Sequence, residues 1–176
     1  KFNNFAINLN SKNFKEYKNI FAKKNNLIPI TFGEGQIILF DETNYVAAIN
    51  STTLHLKFIQ DSIDGTLKGK FLNDDIYVNL NSEVVNSKSY TDIILKMSNV
   101  NFLTKVSFTN SEKNKNIKNG NFLIKKGKNR ITAAFDYKDN ELVISKSNLK
   151  NTFLDGKLEG KIAFFPYFNF NLDMNL

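Results

Sequence analysis

Apolar and polar residues alternate with a period of two along most of the chain. The last segment shows this best, because Asn and Asp separate apolar residues at every second position: Phe168, Phe170, Leu172, Met174 and Leu176. Similar alternation occurs at residues 5–9, 54–58, 76–80 and 131–135. This period is typical of β-strands with one apolar face. Clusters of turn-forming residues at 33–35, 41–44, 73–75 and 138–141 separate the predicted strands. The sequence therefore predicts a mainly β fold, with one long, curved, antiparallel sheet.

One segment near the N-terminus has a helical period instead. Phe14, Tyr17 and Phe21 recur at i, i+3 and i+7, and Ser11 can act as the N-cap. These features predict one short amphipathic helix at about residues 12–24. The helix would pack on the sheet or cover its open end. Docking on a membrane surface through its aromatic residues is an alternative.

The segment DGTLKGK at residues 64–70 recurs almost unchanged as DGKLEGK at residues 155–161. Asp-Gly ordinarily marks a turn, but the alternation of apolar residues runs without a break through both copies. Both copies are therefore predicted to be strands. Each has one charged face and one face on which large apolar residues alternate with glycine. Glycine inside a strand usually marks a bend, a bulge or the close approach of another group.

Two interpretations of the glycine-containing faces remain open. The glycines can allow the sheet to curve over its own core, towards a barrel or a sandwich. Alternatively, the same curvature leaves an apolar groove that is open to an acyl chain. The candidate groove residues come from the two repeated segments and the last strand: Ile63, Gly65, Leu67, Gly69, Phe71, Leu154, Gly156, Leu158, Gly160, Ile162, Phe168, Phe170 and Leu172.

The net charge of +7 raises the question of a nucleic-acid partner. The basic residues are almost all Lys, with Arg130 the single Arg, whereas base and bidentate phosphate recognition favour Arg. The lysines are also dispersed among many Asn and Ile residues. We therefore expect a solvated basic surface and no nucleic-acid partner.

The sequence contains no recognisable catalytic constellation. There is no Cys, and the single His, His55, lies between Leu54 and Leu56 at a position predicted to face outward. A metal site or general acid–base pair needs further ligands or a positioned partner. Nucleophile-elbow and Walker patterns are absent from the sequence. The chain is therefore predicted to be non-enzymatic, with no cofactor and no metal.

The chain begins inside one alternating segment and stops inside another, and FAINLN at residues 5–10 is similar to FNFNLD at residues 168–173. We expect residues 1–176 to form a single β-rich segment of a longer, repetitive protein.

Several of these features resemble the AsmA-like family of bacterial envelope proteins, which includes the TamB-type members. The resemblance rests on SIDGTLKGKF and FLDGKLEGKI, each followed by an alternating strand (DIYVNLNS and YFNFNLDMNL). It also rests on the order of an F-x-I-x-L strand, a short helix and GEGQIILFDE. The resemblance implies a sheet curled into a half-pipe with an apolar interior. It further implies an inner-membrane anchor and a location in the periplasm of a Gram-negative cell. Family members are associated with outer-membrane integrity and with phospholipid movement between the two membranes.

The expected function is that of a non-enzymatic segment whose apolar groove carries phospholipid acyl chains between the inner and outer membranes. The membrane anchor would lie in a part of the longer protein outside this chain. One alternative is an assembly scaffold that binds strands of outer-membrane proteins by strand addition. Another is a closed β-sandwich with a structural role.

Overall fold

A computed structural model describes residues 2–10, 29–41, 43–59, 62–110, 117–163 and 169–176. In these ranges the chain forms 13 strands, which belong to one mixed sheet that is not closed. In chain order the strands are β1 (Phe2–Asn3), β2 (Ala6–Asn10), β3 (Ile30–Asp41), β4 (Asn44–Ile59), β5 (Ser62–Phe71), β6 (Asp74–Val85), β7 (Lys88–Met97), β8 (Phe102–Asn110), β9 (Lys118–Lys126), β10 (Asn129–Lys138), β11 (Glu141–Lys150), β12 (Asp155–Ala163) and β13 (Asn169–Asn175). The predicted β class is confirmed. The described strands do not close towards a barrel or a sandwich.

The strand order follows the sequence from β3 to β13. The β3–β4 and β4–β5 pairs and all pairs from β7 to β13 are antiparallel. However, β1 and β2 both pair with β3 in the parallel direction, so the sheet is mixed and departs from the predicted antiparallel pairing at this end. Parallel neighbours need a connection of about a dozen residues or more. Residues 11–29 provide that length between β2 and β3.

The predicted helix at residues 12–24 lies outside the described residues and is not confirmed. The part of the chain that the structure describes contains no helix. Within it, accordingly, no helix has the length and apolar character needed to cross a membrane.

Two-residue turns with positive φ angles connect three of the strand pairs. Leu72 and Asn73 link β5 to β6 with φ values of 48° and 65°, and Asp139 and Asn140 link β10 to β11 with 51° and 67°. The β6–β7 turn at residues 86–87 has the same pattern. Paired positive φ angles match the right-handed twist of antiparallel strands, which explains why such short turns hold the register.

The segment Gly33-Glu34-Gly35 was predicted to be a turn, but it lies inside β3. The β3–β4 register shifts on both sides of Gly35, and Glu34 has a φ of 56°, as expected for a bulge. A β-carbon at Gly35 would lie 2.2 Å from the ring of Phe5. Glycine is therefore required here so that the Phe5 ring can pack against the bulged strand.

The chain divides into two compact units, Lys1–Asn81 and Ser82–Leu176. The buried apolar residues are Ile37 and Ile76 in the first unit, and Ala133, Phe135 and Ile144 in the second. The described strands all belong to one sheet, so no second sheet covers either unit within the described ranges. Most apolar side chains on the strands are consequently half-buried.

Candidate functional site

Both copies of the repeated segment are strands, as predicted. Residues 64–70 lie within β5, and residues 155–161 lie within β12. The Asp-Gly pairs do not form turns, because the alternation of apolar side chains continues through them. Each copy therefore contributes one apolar and one charged face to its unit.

In the first unit the predicted groove residues of β5 face apolar residues of β4. Directly opposite residues share one face of a sheet. The pairs are Phe58–Ile63, Leu56–Gly65, Leu54–Leu67 and Ile49–Phe71. The Ile63, Leu67 and Phe71 side chains are half-buried. The structure thus brings them together on one apolar face with the β4 side chains.

Neighbouring side chains occupy the space above both glycines of β5. A β-carbon at Gly65 would lie 3.3 Å from Leu56 Cδ2 and 3.5 Å from Leu80 Cβ. A β-carbon at Gly69 would lie 2.7 Å from Ile49 Cγ2 and 2.9 Å from the Asn50 carbonyl oxygen. At these two positions glycine lets adjacent side chains, and at Gly69 also the Asn50 backbone, approach the strand closely.

In the second unit β12 lies between β11 and β13. Gly160 is opposite Ile144 and Leu172, and Ile162 is opposite Leu142 and Phe170. The remaining two positions in β12 pair as Leu149–Gly156 and Leu158–Met174. Leu158, Ile162 and Leu172 are half-buried. These side chains form a second apolar face.

The Leu158 backbone is held at an irregular point of the sheet. The β11–β12 register shifts between Ile144 and Leu149. The Ser147 hydroxyl there donates to the Leu158 carbonyl oxygen and accepts from the Leu158 amide. The register shift removes the usual backbone partners of Leu158 at this point, and the Ser147 hydroxyl takes their place.

The candidate Leu154 lies outside β12, directly before its first residue. It belongs to the turn before the strand, where Asn151 Oδ1 accepts hydrogen bonds from the amides of Phe153 at 2.7 Å and Leu154 at 2.8 Å. This side-chain hydrogen bonding closes the turn and leaves Leu154 exposed. The candidate Phe168 lies outside the described residues.

The best-buried apolar cluster was missed from the sequence. Gly120 of β9 lies opposite Phe108 and Phe135, and a β-carbon there would lie 2.7 Å from Phe135 Cζ. The rings of Phe122 and Phe135 are 6.2 Å apart between centroids. The signal was present, because Gly120, Phe122 and Ile124 repeat the alternation of glycine and large apolar residues seen in the repeated segments.

An open depression of about 530 Å³ lies on the polar face of the second unit. Its lining combines the polar residues Lys105, Ser107, Asn121 and Lys146 with apolar ones: Phe122, Leu123, Ala133 and Ala134. The register places Ser107, Asn121 and Lys146 in one cross-strand row with Ala134. The depression lies over Ala134 because its side chain is small. None of the predicted groove residues lines this depression.

His55 is exposed, as predicted, and its Nδ1 lies 3.1 Å from the Thr31 hydroxyl. Throughout the described ranges, no group of three or more His, Cys, Asp or Glu side chains is placed to hold a metal ion. Every buried side-chain nitrogen or oxygen in those ranges has a hydrogen-bond partner.

Burial raises the pKa of the Tyr137 phenol above its ordinary value of 10.0. The Tyr137 hydroxyl donates to Asn140 Oδ1 at 3.3 Å. Because the folded chain disfavours the phenolate, the unfolded chain loses this proton first. The contribution of Tyr137 to stability is therefore complete well below pH 10 and is lost as the pH rises from about 10 through the raised pKa of the folded chain.

Subtracting the phenolate absorbance of Tyr137→Phe from that of the wild-type chain isolates the ionisation of Tyr137. We expect this difference to have a higher midpoint pH in the folded proteins than in the same two proteins unfolded in urea. A midpoint at or below the value in urea would contradict the assignment of Tyr137 as the phenol whose ionisation folding suppresses.

No protein-family model, curated protein or solved structure matches the chain. The function is therefore inferred from its residue patterns and from the geometry of its two apolar faces.

Proposed function

We propose that this chain is a non-enzymatic segment of an AsmA-like envelope protein. In this proposal its apolar face carries phospholipid acyl chains between the inner and outer membranes. The anchor to the inner membrane lies in a part of the protein outside this chain, and the chain itself works in the periplasm. The curled, half-pipe form of the sheet belongs to the proposal.

The observation that carries this proposal is an apolar sheet face that no second sheet covers within the described residues. Leu67 and Leu158 are half-buried, while Phe170 and Met174 are 61% and 57% exposed. Each methylene that an acyl chain buries on such a face contributes about 0.8 kcal/mol. Acyl-chain binding of this kind needs no directional polar group, and an apolar face without charged side chains is sufficient for it.

A scaffold for outer-membrane proteins remains the second candidate, because β13 is the last strand of the described sheet. Strand addition to the edge of a sheet is a common mode of peptide recognition. A polypeptide that copurifies or crosslinks with the chain, in place of lipid, would favour this function.

The acyl-chain proposal is tested with a zwitterionic phospholipid that carries a diazirine in one acyl chain. We expect Leu67→Asp and Leu158→Asp each to reduce the yield of lipid-crosslinked protein at least tenfold, since each methylene removed from apolar contact costs about 0.8 kcal/mol. Mass spectrometry measures the yield, and far-UV circular dichroism verifies that the variants remain folded.

Two variants serve as matched controls with the same change of charge. Thr66→Asp lies next to Leu67, and Asn175→Asp lies next to Met174, the cross-strand partner of Leu158. Because adjacent strand positions face opposite sides, both carboxylates would lie on the polar face. Their crosslinking should equal that of the wild type. Unchanged crosslinking in a folded Leu67→Asp and Leu158→Asp pair would overturn the proposal.

A further inference from the structure

Three turns of the second unit lie at the same edge of the sheet. They connect β7 to β8, β9 to β10 and β11 to β12. Because strands β7 to β12 form consecutive antiparallel pairs, alternate turns return to the same edge. We call this edge the basic rim, and define it as residues 94–105, 123–132 and 147–158.

The basic rim accounts for the net charge of the whole chain. Its eight basic residues are all exposed: Lys96, Lys105, Lys125, Lys126, Lys128, Arg130, Lys150 and Lys157. Its single acidic residue is Asp155. The rim therefore has a net charge of +7, equal to the net charge of the chain, and all other residues together are neutral. The lysines of the rim are dispersed in the sequence, but the hairpins place them at one edge of the sheet.

Like charges face each other directly across the strands of this rim. Lys125 is opposite Arg130, and Arg130 is opposite Lys150. Cross-strand pairs of like charge destabilise a sheet. Lys150 forms an ion pair with Asp155 at 3.5 Å, whereas no acidic side chain in the described ranges pairs with Lys125 or Arg130. This arrangement is suited to an anionic partner outside the chain.

Exposed apolar side chains lie at the turns between these basic residues. Val100 is 46% exposed in the β7–β8 turn, and Phe153 is 93% exposed in the β11–β12 turn beside Leu154. An apolar turn surrounded by basic residues is suited to a membrane surface. Aromatic and aliphatic side chains enter the boundary between headgroups and acyl chains, and Lys and Arg contact the lipid phosphates.

The opposite edge of the same unit has a different charge. Near the turns at 86–87 and 139–140, and at the adjacent start of β9 and end of β12, the described acidic residues are Glu83, Asp136, Asp139 and Glu141, and the described basic residues are Lys88, Lys118, Lys138 and Lys161. The two signs balance there, and Lys161 forms an ion pair with Glu141 at 3.1 Å. Among the described residues of this unit, the excess of positive charge therefore lies at the basic rim.

We propose that the basic rim docks the second unit on an anionic phospholipid surface. Phe153 and Val100 enter the headgroup region, and Lys125 and Arg130 contact lipid phosphates. A membrane is favoured over a nucleic acid because burial of Phe153 is favourable at the boundary of the acyl chains, and because the rim contains a single Arg. The inference is independent of the proposed acyl-chain function, which uses the face of the sheet and not this edge.

The test is co-sedimentation of the purified chain with vesicles of phosphatidylcholine alone, and with vesicles of phosphatidylcholine mixed with phosphatidylglycerol. We expect binding to the mixed vesicles only, and weaker binding as salt rises above about 0.1 M, where the Debye length is about 10 Å. The double variant Lys125→Glu/Arg130→Glu should lower the partition coefficient more than about twentyfold, and Phe153→Ser about tenfold.

The matched control is Lys68→Glu/Lys138→Glu, which alters two exposed lysines outside the rim. Both double variants lower the net charge of the chain from +7 to +3. The control should bind mixed vesicles within about a factor of two of the wild type, because neither lysine belongs to the rim. Equal loss in both double variants, or equal binding to both kinds of vesicle, would overturn the proposal.

Binding to a DNA duplex without binding to vesicles would assign the rim to nucleic acid and would also overturn the proposal. The photocrosslinking lipid described above is zwitterionic. A failure of the acyl-chain proposal is therefore distinguishable from a failure of membrane docking.

Discussion

Phe135→Ala is expected to destabilise the second unit by about 3–5 kcal/mol, the range for loss of a buried phenylalanine. Phe135 is 5% exposed, its ring lies over Gly120, and it is opposite Ile144, which is 3% exposed. Removal of the ring leaves the Gly120 backbone and the Ile144 side chain without their cover. Because a whole domain is stable by only about 5–15 kcal/mol, this change is a large fraction of the total. Urea unfolding followed by far-UV circular dichroism measures it.

Phe153→Ala is the matched control, since it deletes the same ring from a 93% exposed position in a turn. It should change the free energy of unfolding by no more than about 0.5 kcal/mol. Equal destabilisation by the two substitutions would mean that Phe135 is not part of the core. The same measurement shows whether changes at Phe153 leave the fold intact, as the membrane-docking test requires.

Much of the β architecture could be predicted from local sequence. Alternation alone places DGTLKGK and DGKLEGK in strands and His55 on an exposed face, because the side-chain period of a strand is independent of its neighbours. The turn at Asp139–Asn140 was also predicted, since Asp and Asn tolerate positive φ angles.

Features that depend on side-chain hydrogen bonds or on distant segments could not be predicted in this way. Leu154 has the right parity for the apolar face, but hydrogen bonds to Asn151 place it in a turn. Gly33 and Gly35 have the composition of a turn, yet both lie inside β3, where the Phe5 ring packs against Gly35 at a bulge. The alternation within β2 and β3 does not indicate whether the two strands pair in the parallel or the antiparallel direction.

The basic rim shows the same limit for a candidate site. Lys96, Lys125 and Lys150 are far apart in the sequence, and no spacing rule connects them. The hairpin register brings Lys125 and Lys150 to either side of Arg130. A charge cluster of this kind becomes visible only when the pairing of every intervening strand is known.

The two repeated segments look equivalent in sequence, but their glycines should respond differently to substitution. Gly160 has a φ of 135°, a conformation that side chains of L-residues rarely adopt. A β-carbon at Gly160 would lie 2.1 Å from the Asn171 carbonyl oxygen and 3.0 Å from Leu172 Cα. Both contacts are with the backbone of β13, which cannot yield without breaking the pairing of β12 with β13.

Gly160→Ala is therefore expected to cost more than about 2 kcal/mol and to release β13 from the sheet, since a strained φ and a backbone clash act together. Hydrogen exchange measures this directly: the amides of residues 169–175 should lose protection while those of β8 to β10 retain it. Loss of protection across the whole unit, or full protection in β13, would contradict a local clash at this strand pair.

Gly65→Ala is a milder substitution in the other copy of the repeated segment, at the position that corresponds to Gly156. Its new methyl group would meet Leu56 Cδ2 at 3.3 Å and Leu80 Cβ at 3.5 Å, and the Leu56 side chain can rotate away. We expect a change within about 1 kcal/mol of the wild type, because loss of glycine flexibility in the unfolded chain offsets a mild contact. A large loss of stability at Gly65 would show that the apolar face is packed too tightly to admit any added group, an acyl chain included. Tolerance at Gly65 together with loss of β13 at Gly160 would show that Gly65 faces side chains that can move, whereas Gly160 is held against the backbone of the next strand.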